Sequence, residues 1–186
     1  MNVKGTVILT GKSAITTVFG EEKWKSFMID LARKDRYFNN VIMSVTLIPM
    51  DKFIFFLDEL IREFFNNDKE NYALFGRVAA NFGLSQGGPY HSYMLVKDIK
   101  QFAESVTPQI WTTYFDGGVV IAHVEKSIIH IKVTELPINH SHFESLVVAF
   151  FQQAIHIFGK KSVSKRIRST SLGHADSYYQ FEIKDS

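Results

Sequence analysis

The first two thirds of the chain carry hydrophobic residues at helical spacing. Residues 51–66 show this most clearly, with apolar side chains three and four positions apart over four turns. Comparable spacing predicts further helices over residues 13–19, 21–31 and 98–114. Pro108 has no backbone N–H, so we expect it to kink the last of these helices or to divide it in two.

Another helix is predicted between the capping residues Asn67-Asp68 and Gly83, which should end it. Its expected buried face consists of Tyr72, Phe75, Ala79 and Phe82. The glycine-rich residues 85–89 then predict a loop. This loop is not a phosphate-binding loop, because it lacks a Lys-Ser/Thr continuation and follows a helix rather than a strand.

The hydrophobic period changes from 3.6 to 2 after Asp116, which predicts strands over residues 119–125 and 128–133. A two-residue loop, Lys126-Ser127, joins them into a hairpin. With that loop, the opposed pairs on the core face are expected to be Val124 with Ile129, Ala122 with Ile131, and Val120 with Val133. The same register places His123 opposite His130 on the other face.

Residues 141–158 have a strongly apolar helical pattern, for which Ser141 is the expected N-cap and Gly159 the C-terminal stop. The chain closes with a second hairpin, whose first strand is expected to run to Leu172 before a turn over residues 173–176. This order predicts an α+β fold. N-terminal helices should precede a four-stranded antiparallel sheet of two hairpins, with the intervening helix packed on the sheet.

The composition predicts a single soluble domain over residues 1–186. Hydrophobic residues make up 46% of the chain and include 17 Phe, which require a large interior or an apolar pocket. A net charge of +2 does not predict a nucleic-acid partner. The chain has no Cys, which excludes disulfides and Cys-based zinc sites. No apolar run suits a signal peptide or a membrane span, so we expect a cytoplasmic protein.

Short motifs occur in a fixed order along nearly the whole chain: Lys4-Gly-Thr-Val7, Phe19-Gly-Glu21 with Trp24, Phe75-Gly-Arg77, Tyr114 with Asp116-Gly117, and Gly173 with Asp176 and Phe181. In this order they resemble the haem-nitric oxide/oxygen binding (H-NOX) superfamily, its 4-vinyl reductase-type relatives and uncharacterised bacterial proteins close to both. The resemblance implies a ligand-binding sensor domain that acts in bacterial signalling.

The resemblance departs from the haem-binding members at the residues that hold haem. There, the helix corresponding to residues 98–114 carries a histidine that coordinates iron, and a Tyr-x-Ser-x-Arg signature binds the haem carboxylates. This chain has no His between Leu95 and Tyr114 and no such triad after Asp116. His91 and Tyr114 are poor substitutes, so we expect no haem and no other cofactor. The cysteines common in 4-vinyl reductase-type relatives are also missing.

Other candidate sites have simpler interpretations. His123 and His130, with Glu125 on their face, could form half of a zinc or copper site, but a metal needs more ligands, so we expect none. The pair His140 and His142 is interpreted as a loop that leads into a helix. A basic cluster is made of Lys160, Lys161, Lys165, Arg166 and Arg168. Its two arginines are expected to share a strand face that could bind an anion or an acidic partner, although a solvated surface is the simpler interpretation.

No catalytic constellation is recognisable, because the sequence has no Ser-His-Asp order, no paired catalytic carboxylates and no Gly-x-Ser-x-Gly elbow. We therefore predict a non-enzymatic domain that binds a small apolar or amphipathic ligand. The resemblance places six candidate pocket residues on inward helix faces: Phe75, Ala79, Phe102, Trp111, Val147 and Phe150.

The alternative is an interaction or adaptor module with a filled core. Such a module would form a homodimer or bind a signalling partner through exposed apolar residues of the outer sheet face. The candidates for this surface are Val119, Ile121 and Ile128. The two hypotheses differ in the expected size of the protein in solution and in whether its interior holds a ligand.

Overall fold

The computed structural model describes residues 1–88, 90–95 and 98–184. Its helices are α1 (Thr6–Phe19), α2 (Glu21–Lys34), α3 (Met50–Phe65), α4 (Tyr72–Leu84), α5 (His91–Met94), α6 (Ile99–Gln101), α7 (Thr107–Tyr114) and α8 (Ser141–Ile157). Its strands are β1 (Asn2–Lys4), β2 (Leu47–Pro49), β3 (Val119–Glu125), β4 (Ile128–Thr134), β5 (Lys161–Arg168) and β6 (Ser177–Lys184). Residues 85–88 form the predicted loop, of which Pro89 lies outside the described residues.

The strands form two antiparallel sheets. β1 pairs with β2 near the N-terminus, and the other four strands form a sheet in the order β3-β4-β6-β5. α8 connects the two hairpins and lies between this sheet and α4. The predicted α+β class, with two hairpins and an intervening helix packed on the sheet, is confirmed. None of the helices in the described ranges is long and apolar enough to cross a membrane.

The register of the first hairpin is the predicted one. Val124 lies opposite Ile129, and His123 lies opposite His130. Lys126, the first residue of the two-residue loop, has a positive φ of 54°, as a tight hairpin turn requires. The alternation of side chains then places Ile129 in the core, together with Val120, Ile131 and Val133.

The helical segment that precedes this hairpin is divided upstream of Pro108. A π-helical turn over Phe102–Val106 separates α6 from α7. The backbone N–H of Thr107 donates to the carbonyl of Phe102, five residues back, and the Thr107 hydroxyl donates to the same oxygen at 3.1 Å. Pro108 then lies in the first turn of α7, where its missing N–H has little cost.

The predicted buried face of α4 is wrong at Phe82, which is 51% exposed. The helix instead turns Gly76 toward α8, and a Cβ at Gly76 would lie 2.4 Å from the carbonyl oxygen of Leu146. The two backbones therefore approach more closely than side chains would allow. This approach places Gly76 and Ala80 on the buried face of α4 and turns Phe82 outward.

Two predictions for the last hairpin are also wrong. β5 ends at Arg168, and a 3₁₀ turn over Thr170–Leu172 replaces the expected continuation of the strand. A β-bulge between Arg166 and Arg168 places these residues opposite Tyr179 and Tyr178, which point to different faces of the sheet. The two arginines therefore do not share a face.

Candidate functional site

An apolar cavity of about 70 Å³ lies where the helices meet the large sheet. Its walls come from α1, α3, α4, α7, β3 and α8. The hydroxyls of Thr10 and Thr107 belong to the lining but donate to carbonyl oxygens of their own helical segments. Polar groups able to bind a ligand are therefore scarce in this cavity.

Five of the six candidate pocket residues line the cavity: Phe75, Ala79, Trp111, Val147 and Phe150. Phe102 lies outside the lining, and its ring packs against Phe158 with centroids 5.3 Å apart. Phe102 begins the π-helical turn, which precedes the part of the segment that faces the cavity. The structure thus brings most of the candidates together, and their role in ligand binding stays a prediction.

The α7 wall is held by contacts of its aromatic residues. The Trp111 indole N–H donates to the carbonyl of Gly117 at 3.0 Å, and its ring packs on Phe115 with centroids 4.3 Å apart. Tyr114 also lines the cavity and meets Tyr90 edge to face. Burial, with a further contribution from Tyr90, raises the pKa of Tyr114, so its hydroxyl stays protonated at neutral pH.

His142 is a cavity-lining residue that the sequence interpretation missed. It is 0% exposed, and neither ring nitrogen has a hydrogen-bond partner among the described residues. The rings of Phe53, Tyr72 and Phe143 surround it with centroids 5.5–5.6 Å away, and Phe75 lies slightly further. Burial, assisted by the nearby His140, lowers the pKa of His142 from 6.5 to about 3. The imidazole is therefore neutral at physiological pH.

A sequence signal for His142 was available. The residue lies four positions before Leu146 and eight before Phe150, which is the spacing of the inward face of α8. The interpretation of His140 and His142 as a loop leading into the helix does not use this spacing. His140 is the actual N-cap, since its Nδ1 accepts the backbone N–H of His142 at 3.2 Å.

A polar network ties the start of α8 to α3 and α4. His140 Nε2 lies 3.1 Å from the carboxylate of Asp58, which also accepts the hydroxyl of Tyr72. Burial and this hydrogen bond raise the pKa of Tyr72. Asp58 thus connects three elements that enclose the His142 ring.

A second anchor ties α8 to the last hairpin. The buried carboxylate of Glu144 accepts the backbone N–H and the hydroxyl of Ser171 at 3.1 and 3.0 Å, and the hydroxyl of Ser177 at 3.3 Å. It also accepts the hydroxyl of Ser169 and lies 3.5 Å from Arg166. Burial alone would raise the pKa of Glu144, but the hydrogen bonds from the serines outweigh it and lower this pKa. The carboxylate is therefore ionised and fully engaged.

The two opposed histidines of the first hairpin have local partners. Their rings stack with centroids 6.2 Å apart. His123 Nδ1 lies 3.2 Å from a carboxylate oxygen of Glu104, and His130 Nδ1 lies 2.6 Å from the hydroxyl of Tyr178. Within the described part of the chain, no group of three or more His, Asp or Glu comes together in a way that could hold a metal ion.

The basic cluster near the last hairpin is dispersed by the β-bulge. Arg168 donates two hydrogen bonds to the Asp176 carboxylate, and the one from Nη2 to Oδ2 is 3.1 Å long. Its guanidinium group also lies over the ring of Tyr178. Lys132 approaches the same Asp176 carboxylate at 3.1 Å. Because Arg166 faces Glu144 instead, these arginines do not converge on one anion site.

No family model and no curated protein sequence matches this chain. Solved structures do match it. An H-NOX protein from S. oneidensis in the Fe(II)NO ligation state has a TM-score of 0.74 at 12% identity, with 98% of this chain and 99% of that chain covered. The fold of this chain is similar to that of the H-NOX domains. The Fe(II) unliganded H-NOX protein from K. algicida has a TM-score of 0.71 at 9% identity over 98% and 97% of the two chains.

A Tt H-NOX variant has a TM-score of 0.69 at 15% identity, with 98% and 95% of the two chains covered. At these identities the likeness to H-NOX structures concerns the fold. The 4-vinyl reductase-type relationship stays a prediction.

The S. oneidensis and K. algicida H-NOX structures contain Fe(II), so the cavity lining can be compared with what an iron porphyrin needs. Toward the cavity, α7 presents Thr107, Ile110, Trp111 and Tyr114, which include neither imidazole nor sulfur. The described lining contains no Lys or Arg that could pair with haem carboxylates. A volume of about 70 Å³ is also small beside the roughly 300–1,000 Å³ of typical cofactor and ligand pockets.

Proposed function

We propose that this chain is a non-enzymatic sensor domain of bacterial signalling that binds a small apolar or amphipathic molecule and does not ligate haem. The apolar cavity between the helices and the sheet carries this proposal. A ligand there would contact α1, α4, α7 and α8 at once. If the ligand bound one arrangement of these helices more tightly than another, it would increase the population of that arrangement. A sensor requires such a shift.

The cavity volume supports a small ligand. An engineered apolar cavity of roughly 150 Å³ stays dry and binds benzene or xenon. About 70 Å³ is roughly half of that, which suits a molecule of a few heavy atoms. Ala79 contributes to the free space, because a longer side chain at this position would occupy it.

The experiment combines native mass spectrometry of protein purified from cells with xenon binding followed by ¹²⁹Xe NMR. We expect a co-purified molecule or a saturable xenon response in the wild-type protein. Ala79→Leu should abolish the response by filling the cavity. Arg77→Leu, which adds the same side chain at an exposed position of the same helix, should leave it unchanged. No bound molecule and no xenon response, or a response that ignores Ala79→Leu, would contradict the proposal.

The haem part of the proposal has a separate test. In the described lining, α7 presents neither imidazole nor sulfur and no Lys or Arg is present for the carboxylates, so we expect no sharp Soret band after reconstitution with hemin. If a one-to-one complex forms, its loss in Tyr114→Phe, His91→Ala or His142→Leu will identify the side chain that binds the iron. A band that survives all three variants would show that the ligand lies elsewhere.

A dimeric interaction module is the second candidate, favoured by exposed apolar residues on the outer sheet face. Ile121 is 53% and Val119 38% exposed on β3, while Ile128 is half-buried. His130 and Lys132 interrupt this surface toward the centre of the sheet. Light scattering in dilute solution distinguishes the candidates. A dimer that Ile121→Glu dissociates, combined with a cavity that binds nothing, would support the interaction module over the sensor.

A further inference from the structure

His142 differs from the other polar groups around the cavity. The hydroxyls of Thr10 and Thr107 already donate within their own helical segments, and the Tyr114 hydroxyl has Tyr90 as a partner. Both nitrogens of His142, by contrast, lack a partner among the described residues. The imidazole lines the cavity and is fully enclosed. An unpaired polar group of this kind points to a ligand that would complete its hydrogen bonds.

The free energy of the unpaired ring favours such a ligand. Leaving a buried donor or acceptor without a partner costs on the order of 1–3 kcal/mol. Edge-to-face contacts with Phe53, Tyr72 and Phe143 surround the ring, but contacts between N–H groups and aromatic rings are weak beside a hydrogen bond to oxygen. A ligand atom that pairs with His142 would therefore gain affinity that an apolar ligand cannot.

The charge of the ligand follows from the rest of the lining. The described residues around the cavity include no Lys, Arg, Asp or Glu. A carboxylate or an ammonium group in this space would be buried without a counter-ion, which is strongly unfavourable. A neutral imidazole offers one donor and one acceptor, and a hydroxyl can pair with either.

We propose that His142 selects a small uncharged ligand that bears a hydroxyl group, with the hydroxyl bound to the imidazole and an apolar body against the aromatic lining. This inference rests on the proposed ligand-binding function and names the chemical class that the cavity prefers. His142 is a specificity-determining residue for binding, and no chemical step is assigned to it.

The test compares two probes with equal numbers of heavy atoms, 1-propanol and n-butane, by NMR titration of the wild-type protein. His142→Leu removes the imidazole and keeps an apolar side chain of similar size. His156→Leu makes the same change at an exposed position of α8 and serves as the matched control. Long-range ¹H–¹⁵N spectra of the wild-type protein report on the His142 ring itself, so the test does not depend on the variant folding.

We expect 1-propanol to shift the His142 ring nitrogens and to bind roughly tenfold more weakly to His142→Leu, in line with a lost buried hydrogen bond. Binding of n-butane should be unchanged or tighter in that variant. The control should bind both probes like the wild type. Unperturbed ring nitrogens with saturating 1-propanol would overturn the inference. It would also fail if each probe bound His142→Leu as tightly as it binds the wild type.

Two further outcomes would overturn it differently. Nuclear Overhauser contacts between His142 and a long-lived water would show that water already satisfies the ring. A one-to-one Soret band that disappears in His142→Leu would show that the imidazole is an iron ligand.

If n-butane binds and His142 has no effect on 1-propanol, the inference fails while the proposed function stands. If neither probe binds and Ala79→Leu changes nothing, the proposed function fails as well.

Discussion

Protonation of His142 should weaken the folded state as the pH falls from about 7.5 to about 5. Burial lowers the pKa of this imidazole from 6.5 to about 3. Below pH 6.5 the unfolded chain therefore binds a proton that the folded chain excludes until the pH approaches 3. The stability is fully present above the unfolded pKa and is lost as the pH falls. Each pH unit below the unfolded pKa of 6.5 costs about 1.4 kcal/mol, so the loss at pH 5 is about 2 kcal/mol.

The magnitude at pH 5 depends mainly on the unfolded pKa, because the folded pKa lies well below 5. The surrounding rings of Phe53, Phe75 and Phe143 carry no charge, and the hydroxyl of Tyr72 is neutral in this range. The lowered pKa of Glu144 means that its contribution is present above 4.5 and is lost only at lower pH. The window between about pH 5 and pH 7 therefore excludes the carboxylate of Glu144, and comparison with a variant that lacks only His142 separates it from the neighbouring His140 and the other histidines.

Urea denaturation of the wild-type protein and of His142→Leu at about pH 7.5 and about pH 5 measures the free energy of unfolding. The wild type should lose about 2 kcal/mol more than the variant on acidification, because the difference between the proteins removes contributions that they share. The excess loss should persist at high salt, since the group is shielded from solvent ions. An equal pH dependence in both proteins would refute the reasoning and would mean that the imidazole is accessible to protons in the folded state.

Two paired substitutions test other parts of the structure. Gly76→Ala should destabilise the protein by about 1–3 kcal/mol, because its Cβ would meet the Leu146 carbonyl, whereas Gly11→Ala, which finds only ordinary contact with a neighbouring ring, should stabilise it by up to about 1 kcal/mol. Changes of the same sign in thermal denaturation would contradict this pair. Glu144→Ala should cost about 3 kcal/mol by leaving its donors unpaired, and the exposed Glu63→Ala should cost less than about 0.5 kcal/mol. Similar urea midpoints for these two variants would show that the Glu144 network contributes little.

The pairing register of the first hairpin could be predicted because its determinants are local. The two-residue loop fixes which residues pair, and only this register places Val120 with Val133 on the core face. The helix over residues 51–66 was predicted within one residue of α3 for the same reason, since its apolar face repeats over four turns. Both features are determined by neighbours in the sequence, so no knowledge of distant contacts was needed.

The errors occur where distant residues decide. β5 ends early because Ser169 and Ser171 bind Glu144, which lies about 25 residues earlier on α8. Phe82 turns outward because Gly76 lets α4 approach the backbone of α8. Neither interaction leaves a periodic signal in the local sequence, and propensity alone favours the incorrect assignments.

His142 shows why the candidate site was harder to predict than the fold. Its position on the inward face of α8 is local information, but the absence of a partner among the described residues becomes apparent only when α3, α4 and α8 are assembled. In the haem-binding H-NOX members the histidine lies on the helix before the first hairpin, whereas the imidazole of the described lining lies on α8. We therefore expect recognition in this cavity to depend on a neutral hydrogen-bonding ring at the start of α8. A search for ligands should therefore vary the hydroxyl group before it varies a metal.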